Sequence, residues 1–378
     1  MSSAIPMMVV ALPVVSAAVL AAIASWRIAT WINAGSASIQ FAMACLLVWH
    51  SSTAATQLVV LNAFVAMTTS WFGYRDIAAS LAARTLTRRR ARRYHIGCQV
   101  LIGAVQAAVL ADNLTLTWFA VGVAVAAAAA ITGAARGAAA ATAMSRLVLQ
   151  CAIGLVLALL GTLLVEPAPV PAGVFLLLGY ATLAGLVPLR SWLVNAAAEG
   201  VAPGAIIVML LANVPLLLFM RLHIAPELLI AFGLASLLIC AIARLDRRRT
   251  VVLAGLAQLG MVIFAIGVGA RQVAWLHMML LTLARSAVLQ SHGDDVIAWL
   301  VLALLPLYAL YLLAVPTVAV AGWLLVPLGA GVLLATWALI ERRPAGVPAD
   351  WVARTPVWLH LALVALLAFA MPAPVAAE

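Results

Sequence analysis

The stretch LVLQCAIGLVLALLGTLLV, residues 147–165, runs from Arg146 to Glu166 without a charged residue. An α-helix rises about 1.5 Å per residue, so about 20 apolar residues match the roughly 30 Å hydrocarbon core of a bilayer. The stretch therefore predicts a membrane-spanning helix.

The composition extends this prediction to the whole chain. Hydrophobic residues make up 67% of the 378 residues and charged residues only 8%, whereas a soluble domain carries about 25% charged residues. A chain with so few charges cannot cover a water-exposed surface. We therefore predict an all-α integral membrane protein, a single polytopic domain over residues 1–378, in which 5–25 is a retained first helix rather than a cleaved signal.

Apolar runs bounded by glycine, proline or charge predict about thirteen spans. They lie at residues 5–25, 56–74, 97–111, 114–133, 147–165, 170–188, 203–221, 226–243, 251–269, 273–290, 295–314, 317–340 and 356–372. The segment 26–55 is interpreted as a hairpin or re-entrant stretch, because WINAGSASIQ (31–40) alternates with a period of two and contains Gly35. Residues 42–49 fit part of a span equally well.

The positions of the arginines predict the orientation. All basic residues are arginine, and most fall after every second predicted span. The clusters lie at 84–93, 136–146, 190, 244–249 and 342–343. The positive-inside rule places these loops in the cytoplasm. With 30–50 not spanning, the N-terminus is then cytoplasmic and the C-terminus lies outside. The positive charge is interpreted as orientation rather than nucleic-acid binding.

Polar residues at membrane depth are candidates for function because burying them is costly. Arg285 lies two thirds along the span 273–290, and His277 precedes it by eight residues. The two could form steps of a proton or anion path. Alternatively, Arg285 reaches the interface beside Asp294 and Asp295.

Two segments resemble broken helices, whose ends can hold ions through their dipoles. In the first, Asn213 and Pro215 lie inside the span 203–221, although a plain kink explains them as well. In the second, PLRSWL (188–193) starts at Pro188, is followed by Glu199 and Pro203, and includes Trp192 as an interfacial tryptophan.

The remaining polar features have structural interpretations. Gln150 and Gln258 are expected to join helices, and Asp112-Asn113 is expected to cap a helix. The four cysteines form no motif at metal or disulfide spacing, so no metal or cofactor site is predicted in this chain.

Three motifs resemble the antiporter-like subunits of respiratory complex I. PLRSWL with Glu199-Gly200 and Pro203 is similar to PLHxWLPDAxEGPTPVSAL. Asp246 with Arg248-Arg249, followed by AQLG (257–260), resembles DIKRxLAYSTxxQxG, and ADNL (111–114) matches the turn before their fifth helix. These matches extend over an antiporter-like core from about residue 55 to 295 in the family's order, and the resemblance implies an antiporter-like fold with broken helices.

Within that superfamily the chain resembles DabB, the membrane subunit of the DabA–DabB inorganic-carbon pump. Asn213 and Arg221 keep the spacing of VVNAGGFLLIR, and His277, Leu283 and Ser291 fit HLVAHALYKAHAFLSSG, which places Arg285 at the family's lysine. The resemblance implies second-tier roles for Asp246, Arg249 and Gln258.

The chain departs from the family at its protonatable positions. Phe119 stands at the fifth-helix acid, Leu183 at the seventh-helix lysine, Val208 or Met209 at the eighth-helix histidine or lysine, and Leu281 at a second histidine. Arginine also transfers protons poorly, because its pKa exceeds about 12.

The resemblance implies a transport subunit, not an enzyme, in the cell inner membrane. It would belong to an energy-coupled CO2/bicarbonate uptake complex and work with a DabA-like zinc protein on the cytoplasmic face. Two alternatives remain: an antiporter-like subunit of a complex I-like or hydrogenase-linked redox complex, and a non-conducting membrane scaffold.

Overall fold

Helices account for all regular structure in the part of the chain that the computed structural model describes, residues 4–186, 189–222, 224–242, 247–291, 295–314 and 351–370. They are α1 (Ala4–Ala22), α2 (Trp26–His50), α3 (Ala54–Phe72), α4 (Tyr74–Ala82), α5 (Arg88–Leu110), α6 (Leu114–Thr132), α7 (Ala138–Leu164), α8 (Pro169–Leu183), α9 (Ser191–Glu199), α10 (Ala202–Met209), α11 (Asn213–Arg221), α12 (Pro226–Ile242), α13 (Arg247–Gly267), α14 (Arg271–Gln290), α15 (Val296–Ala314) and α16 (Trp351–Ala370). The prediction of an all-α membrane protein is confirmed.

The predicted spans fall on helices, except 317–340, which lies outside the described residues. Among the described residues, seven helices are long and apolar enough to cross a membrane. The short predicted span 97–111 belongs to the longer helix α5, whose start is capped by the Thr87 hydroxyl accepting the Arg90 N–H. The predicted cap at Asp112-Asn113 is also confirmed, since Asn113 Oδ1 accepts the Leu116 N–H at 2.7 Å.

The interpretation of 26–55 as a hairpin or re-entrant stretch is wrong. Trp26–His50 is one helix, α2, long and apolar enough to span a membrane. The misleading feature was the polar content: Asn33, Ser36 and Gln40 are all buried, at spacings of three and four that place them on one side of a helix. Gly35 faces open space within that helix.

The chain divides into two compact units. The first comprises Met1–Gly185 and Leu189–Leu217, and the second comprises Leu186–Pro188 and Leu218–Glu378. In the first unit, α7 and α8 pack at glycines: a Cβ on Gly154 would lie 3.0 Å from the Gly179 carbonyl oxygen. Small residues let membrane helices approach this closely.

One end of the first unit gathers arginines, as the sequence predicted. Arg90 donates to the Ala135 carbonyl at 2.9 Å, and Arg136 donates to the Arg84 carbonyl at 3.4 Å. The loops before α5 and after α6 therefore lie side by side, and Arg92 donates to the Ile23 carbonyl between α1 and α2 at 3.2 Å. Since the α1–α2 connection lies at the arginine-rich end, α1 begins at the opposite end. The predicted placement of the N-terminus on the arginine side rested on a non-spanning 30–50, whereas α2 is long and apolar enough to cross a membrane.

The second unit is built on the pair α12 and α13. A Cβ on Gly233 would lie 2.7 Å from the Gly260 carbonyl oxygen, so the two backbones are in direct contact. α14 packs on α13, α15 and α16. The Tyr308 hydroxyl of α15 donates to the Ala368 carbonyl of α16 at 2.8 Å. This arrangement surrounds α14 with helices on several sides.

Candidate functional site

Arg285 is buried in the second unit. Its side chain is 2% exposed, and it crosses α13 at Gly255, where a Cβ atom would lie 2.9 Å from Arg285 Cδ. Only a residue without a side chain leaves room for this packing. The burial argues against the alternative in which Arg285 extends to the aqueous interface.

His277 lies on the same helix and is 2% exposed. Neither ring nitrogen has a hydrogen-bond partner among the described residues. Eight residues separate it from Arg285, a rise of about 12 Å, so the two side chains share a helix without touching. A buried imidazole without partners can accept or release a proton when water reaches it.

Gln258 joins α13 to α15, as the sequence predicted. Its Nε2 donates to the Leu302 carbonyl at 2.8 Å. Of the other second-tier residues, Arg249 lies near the start of α13, and Asp246 lies outside the described residues. Arg221 is exposed at the last residue of α11, where a cation suits the negative end of the helix dipole.

Of the two interpretations of Asn213 and Pro215, the structure favours the kink, because Ala202–Arg221 continues as one span-length helix through a 3-10 turn. α10 ends at Met209, a 3-10 turn covers Leu210–Ala212, and α11 begins at Asn213. Pro215 lacks the N–H that an α-helix would donate to the Leu211 carbonyl, which accounts for the change of helix type. Asn213 is fully buried, and its Nδ2 donates to Asn62 Oδ1 of α3 at 2.9 Å.

The second predicted break separates α8 from α9, although Pro188 itself lies outside the described residues. Trp192 is fully buried, so its prediction as an interfacial residue is wrong. Its indole N–H donates to the Thr182 carbonyl at 2.7 Å, back across the break. Gln150 of α7 completes the junction. Its Oε1 accepts the backbone N–H of Trp192 at 3.0 Å, and its Nε2 donates to Ser191 Oγ at 2.7 Å.

The remaining residues of this segment have structural positions. Glu199 is the last residue of α9. Pro203 is the second residue of α10 and packs on the corner between α3 and α4, where a Cβ on Gly73 would lie 2.8 Å from Pro203 Cβ.

A network of buried polar side chains in the first unit was not predicted. Gln99 of α5 donates to Asn33 Oδ1 of α2 at 2.9 Å, and Asn33 donates to Ser70 of α3 at 3.0 Å. Ser36 donates to Gln99 at 3.3 Å and bonds to Ser16 of α1 at 2.6 Å. The spacing of polar residues on α2 and α5 could have indicated a buried polar face. Because the amides of Asn33 and Gln99 separate Ser70 from the bonded pair Ser16 and Ser36, the network joins four helices rather than relaying protons along its length.

The positions that would carry protonatable side chains in the resembled family lie in two environments. Leu183, Val208, Met209 and Leu281 are buried and apolar, whereas Phe119 is 60% exposed. The interior is therefore apolar at three of these four family positions, with Val208 and Met209 as the two alternatives for one of them.

No family model matches the chain. The chain is 27% identical over 339 residues to the hydrogenase-4 component F homolog of Methylacidiphilum infernorum (isolate V4), an alignment that covers 75% of this chain and 71% of that protein. The chain is related in sequence to that homolog.

Two solved structures carry the fold comparison. A chain of respiratory complex I from Thermus thermophilus matches with a TM-score of 0.78 and 15% identity, covering 96% of this chain and 97% of that one. A chain of the membrane-bound sulfane sulfur reductase, an archaeal respiratory membrane complex, matches with a TM-score of 0.74 and 15% identity, covering 97% and 94%.

Proposed function

We propose that the chain is an antiporter-like membrane subunit of a redox-linked complex, complex I-like or hydrogenase-linked. The observation that carries this proposal is the homology to hydrogenase-4 component F over 75% of the chain. The fold, similar to a chain of respiratory complex I over nearly the whole length, supports it. Its role would be to couple a reaction in partner subunits to ion movement, without chemistry of its own.

The coupling residues of this proposal are Arg285 and His277. The guanidinium stays charged at any physiological pH, so it would act as a fixed charge. His277 would be the group that binds and releases a proton. At about 12 Å and an effective dielectric constant of about 20, a charge on each would repel by about 1.4 kcal/mol. That is enough to change the occupancy of His277 about tenfold when water, ions or partner groups alter the screening.

The test is donor-driven proton pumping in inverted membrane vesicles that contain the assembled complex. Arg285→Met should leave assembly and electron transfer intact and abolish most of the pumping. Arg271→Gln, which changes an exposed arginine at the start of the same helix, should pump at the wild-type rate. Wild-type pumping in Arg285→Met would contradict the coupling role and leave a non-conducting scaffold as the function.

An inorganic-carbon uptake subunit is the second candidate. The spacing of His277, Leu283, Arg285 and Ser291 favours it through its similarity to DabB. In that case a DabA-like zinc protein on the cytoplasmic face would hydrate CO2. Co-expression with such a partner should then rescue growth of a carbonic-anhydrase-deficient host at ambient CO2, and no rescue with the partner present would reject this candidate.

The orientation belongs to the same proposal. In the cell inner membrane, the arginine-rich end of the first unit would face the cytoplasm by the positive-inside rule. The N-terminus would then lie on the opposite side, because Arg92 holds the α1–α2 connection at the arginine end.

A further inference from the structure

Two buried amides in the first unit have complementary atoms without partners. Asn62 of α3 is 1% exposed and Gln106 of α5 is fully buried. Asn62 Nδ2, a donor, and Gln106 Oε1, an acceptor, have no hydrogen-bond partner in the described part of the chain. A buried polar atom that stays dry is costly, because it has lost its hydrogen bonds to water without replacement.

The two atoms lie on the same side of α3. Gln106 Nε2 donates to the Val59 carbonyl at 3.2 Å, and Val59 precedes Asn62 by three residues. Residues three apart are neighbours on a helix surface, and their rise along the axis is about 4.5 Å. The amide of Gln106 therefore stands about one helical turn from the amide of Asn62.

The 3-10 turn between α10 and α11 lies beside these two amides. α3 packs on α10, and α5 packs on the 3-10 turn Leu210–Ala212. Asn213 follows the turn and donates to Asn62 Oδ1. Pro215 cannot donate to the Leu211 carbonyl, which accepts the Asn213 backbone N–H instead. One unfilled donor and one unfilled acceptor thus occur beside this 3-10 turn.

We propose that Asn62 and Gln106, beside the 3-10 turn before Asn213, form an internal water site in the first unit. Water is the ligand that matches this set, because it accepts from Asn62 Nδ2 and donates to Gln106 Oε1. A buried water typically makes two to four hydrogen bonds to groups that would otherwise be unsatisfied. A cation would be opposed by the amide donor, and an anion by the amide oxygen. The first unit thus carries water at a 3-10 turn between two buried amides, without an ionisable side chain.

Thiol accessibility tests the site. In a background with Cys45, Cys98, Cys151 and Cys240 replaced by alanine, Asn62→Cys is compared with Leu61→Cys, a neighbour that is also buried. The reagent is methyl methanethiosulfonate, added to native membranes. We expect modification of Asn62→Cys about tenfold faster than of Leu61→Cys, because the thiolate that reacts forms only in contact with water. Gln106→Leu should slow that modification. Equal rates at residues 61 and 62 would overturn the proposal.

A second measurement uses the unmodified chain, in case Asn62→Cys fails to fold. X-ray radiolysis of water produces hydroxyl radicals that oxidise methionine only where water is adjacent. Met209 lies next to the 3-10 turn, and Met261 lies in the apolar core of the second unit; both are at most 2% exposed. Oxidation of Met209 at doses that spare Met261 is expected. Equal protection of both would mean that the site is dry. Neither experiment depends on the coupling role of Arg285.

Discussion

The side chain of Arg285 packs against the backbone of Gly255, where a Cβ atom would lie 2.9 Å from Arg285 Cδ. Favourable contacts between carbon atoms lie at about 3.5–4.0 Å, so any side chain at position 255 has to displace the arginine. This relationship makes Gly255 a means of moving Arg285 without changing its charge.

Gly255→Ala should therefore reduce proton pumping by the assembled complex as far as Arg285→Met does. Its stability cost should stay within the about 1–3 kcal/mol typical of overpacking. The matched control is Gly35→Ala, also inside a helix but with no atom within 4 Å of the new methyl group. The control should pump normally. Normal pumping in Gly255→Ala would show that the position of Arg285 does not matter.

Gly179→Ala should destabilise the first unit. The new methyl group would lie 2.8 Å from the Gly154 carbonyl oxygen, and backbone atoms cannot move aside as side chains can. The cost should reach at least the upper part of about 1–3 kcal/mol. Gly122→Ala, with nothing within 4 Å, should raise or preserve stability. Thermal unfolding midpoints in detergent measure both, and equal midpoints would contradict the close packing of α7 on α8.

Trp192→Phe should weaken the junction between α8 and α9. It keeps an aromatic ring but removes the indole N–H that donates to the Thr182 carbonyl, a loss of about 1 kcal/mol. Gln150→Leu should lower the stability more, because it leaves the backbone N–H of the buried Trp192 without its acceptor. Trp49→Phe, at a residue 85% exposed, is the control. Unchanged unfolding midpoints in both junction variants would refute the bridging role.

The N-terminus should lie across the membrane from the arginine-rich loops. An epitope at the N-terminus should be cleaved when protease is added to spheroplasts, whereas one inserted between Ala83 and Leu86 should be protected. The reverse pattern would show that α2 does not span the membrane or that the arginine-rich end faces outward.

The spans could be predicted from the sequence because the bilayer imposes one simple requirement, about 20 apolar residues per crossing. α2 was not predicted because the stretch 31–40, which holds Asn33, Ser36 and Gln40, alternates with a period of two, which is typical of a hairpin. These residues bond to other helices or to backbone, and Asn33 pairs with Gln99, 66 positions away. Sequence spacing cannot show that such distant polar groups meet.

Part of the candidate site could likewise be predicted from the sequence, and part could not. Arg285, His277 and the kink at Pro215 could be identified because charge, imidazole and proline are unusual at membrane depth. The residues that contact them could not be identified from the sequence. Gly255 looks like any other small residue in a span, and Asn62 lies 151 residues from Asn213. Trp192 was assigned to the interface because tryptophan is common there, whereas its N–H is satisfied inside the unit.

Co-purification tests the central claim most directly. The tagged chain, extracted in mild detergent from cells that express its natural neighbours, should carry redox subunits in fixed stoichiometry when its partners are identified by mass spectrometry. Gly179→Ala, which should loosen the first unit, provides a variant with reduced recovery of those partners. Recovery of the chain with a zinc protein and no redox subunit, or of the chain alone, would contradict the assignment to a redox-linked complex.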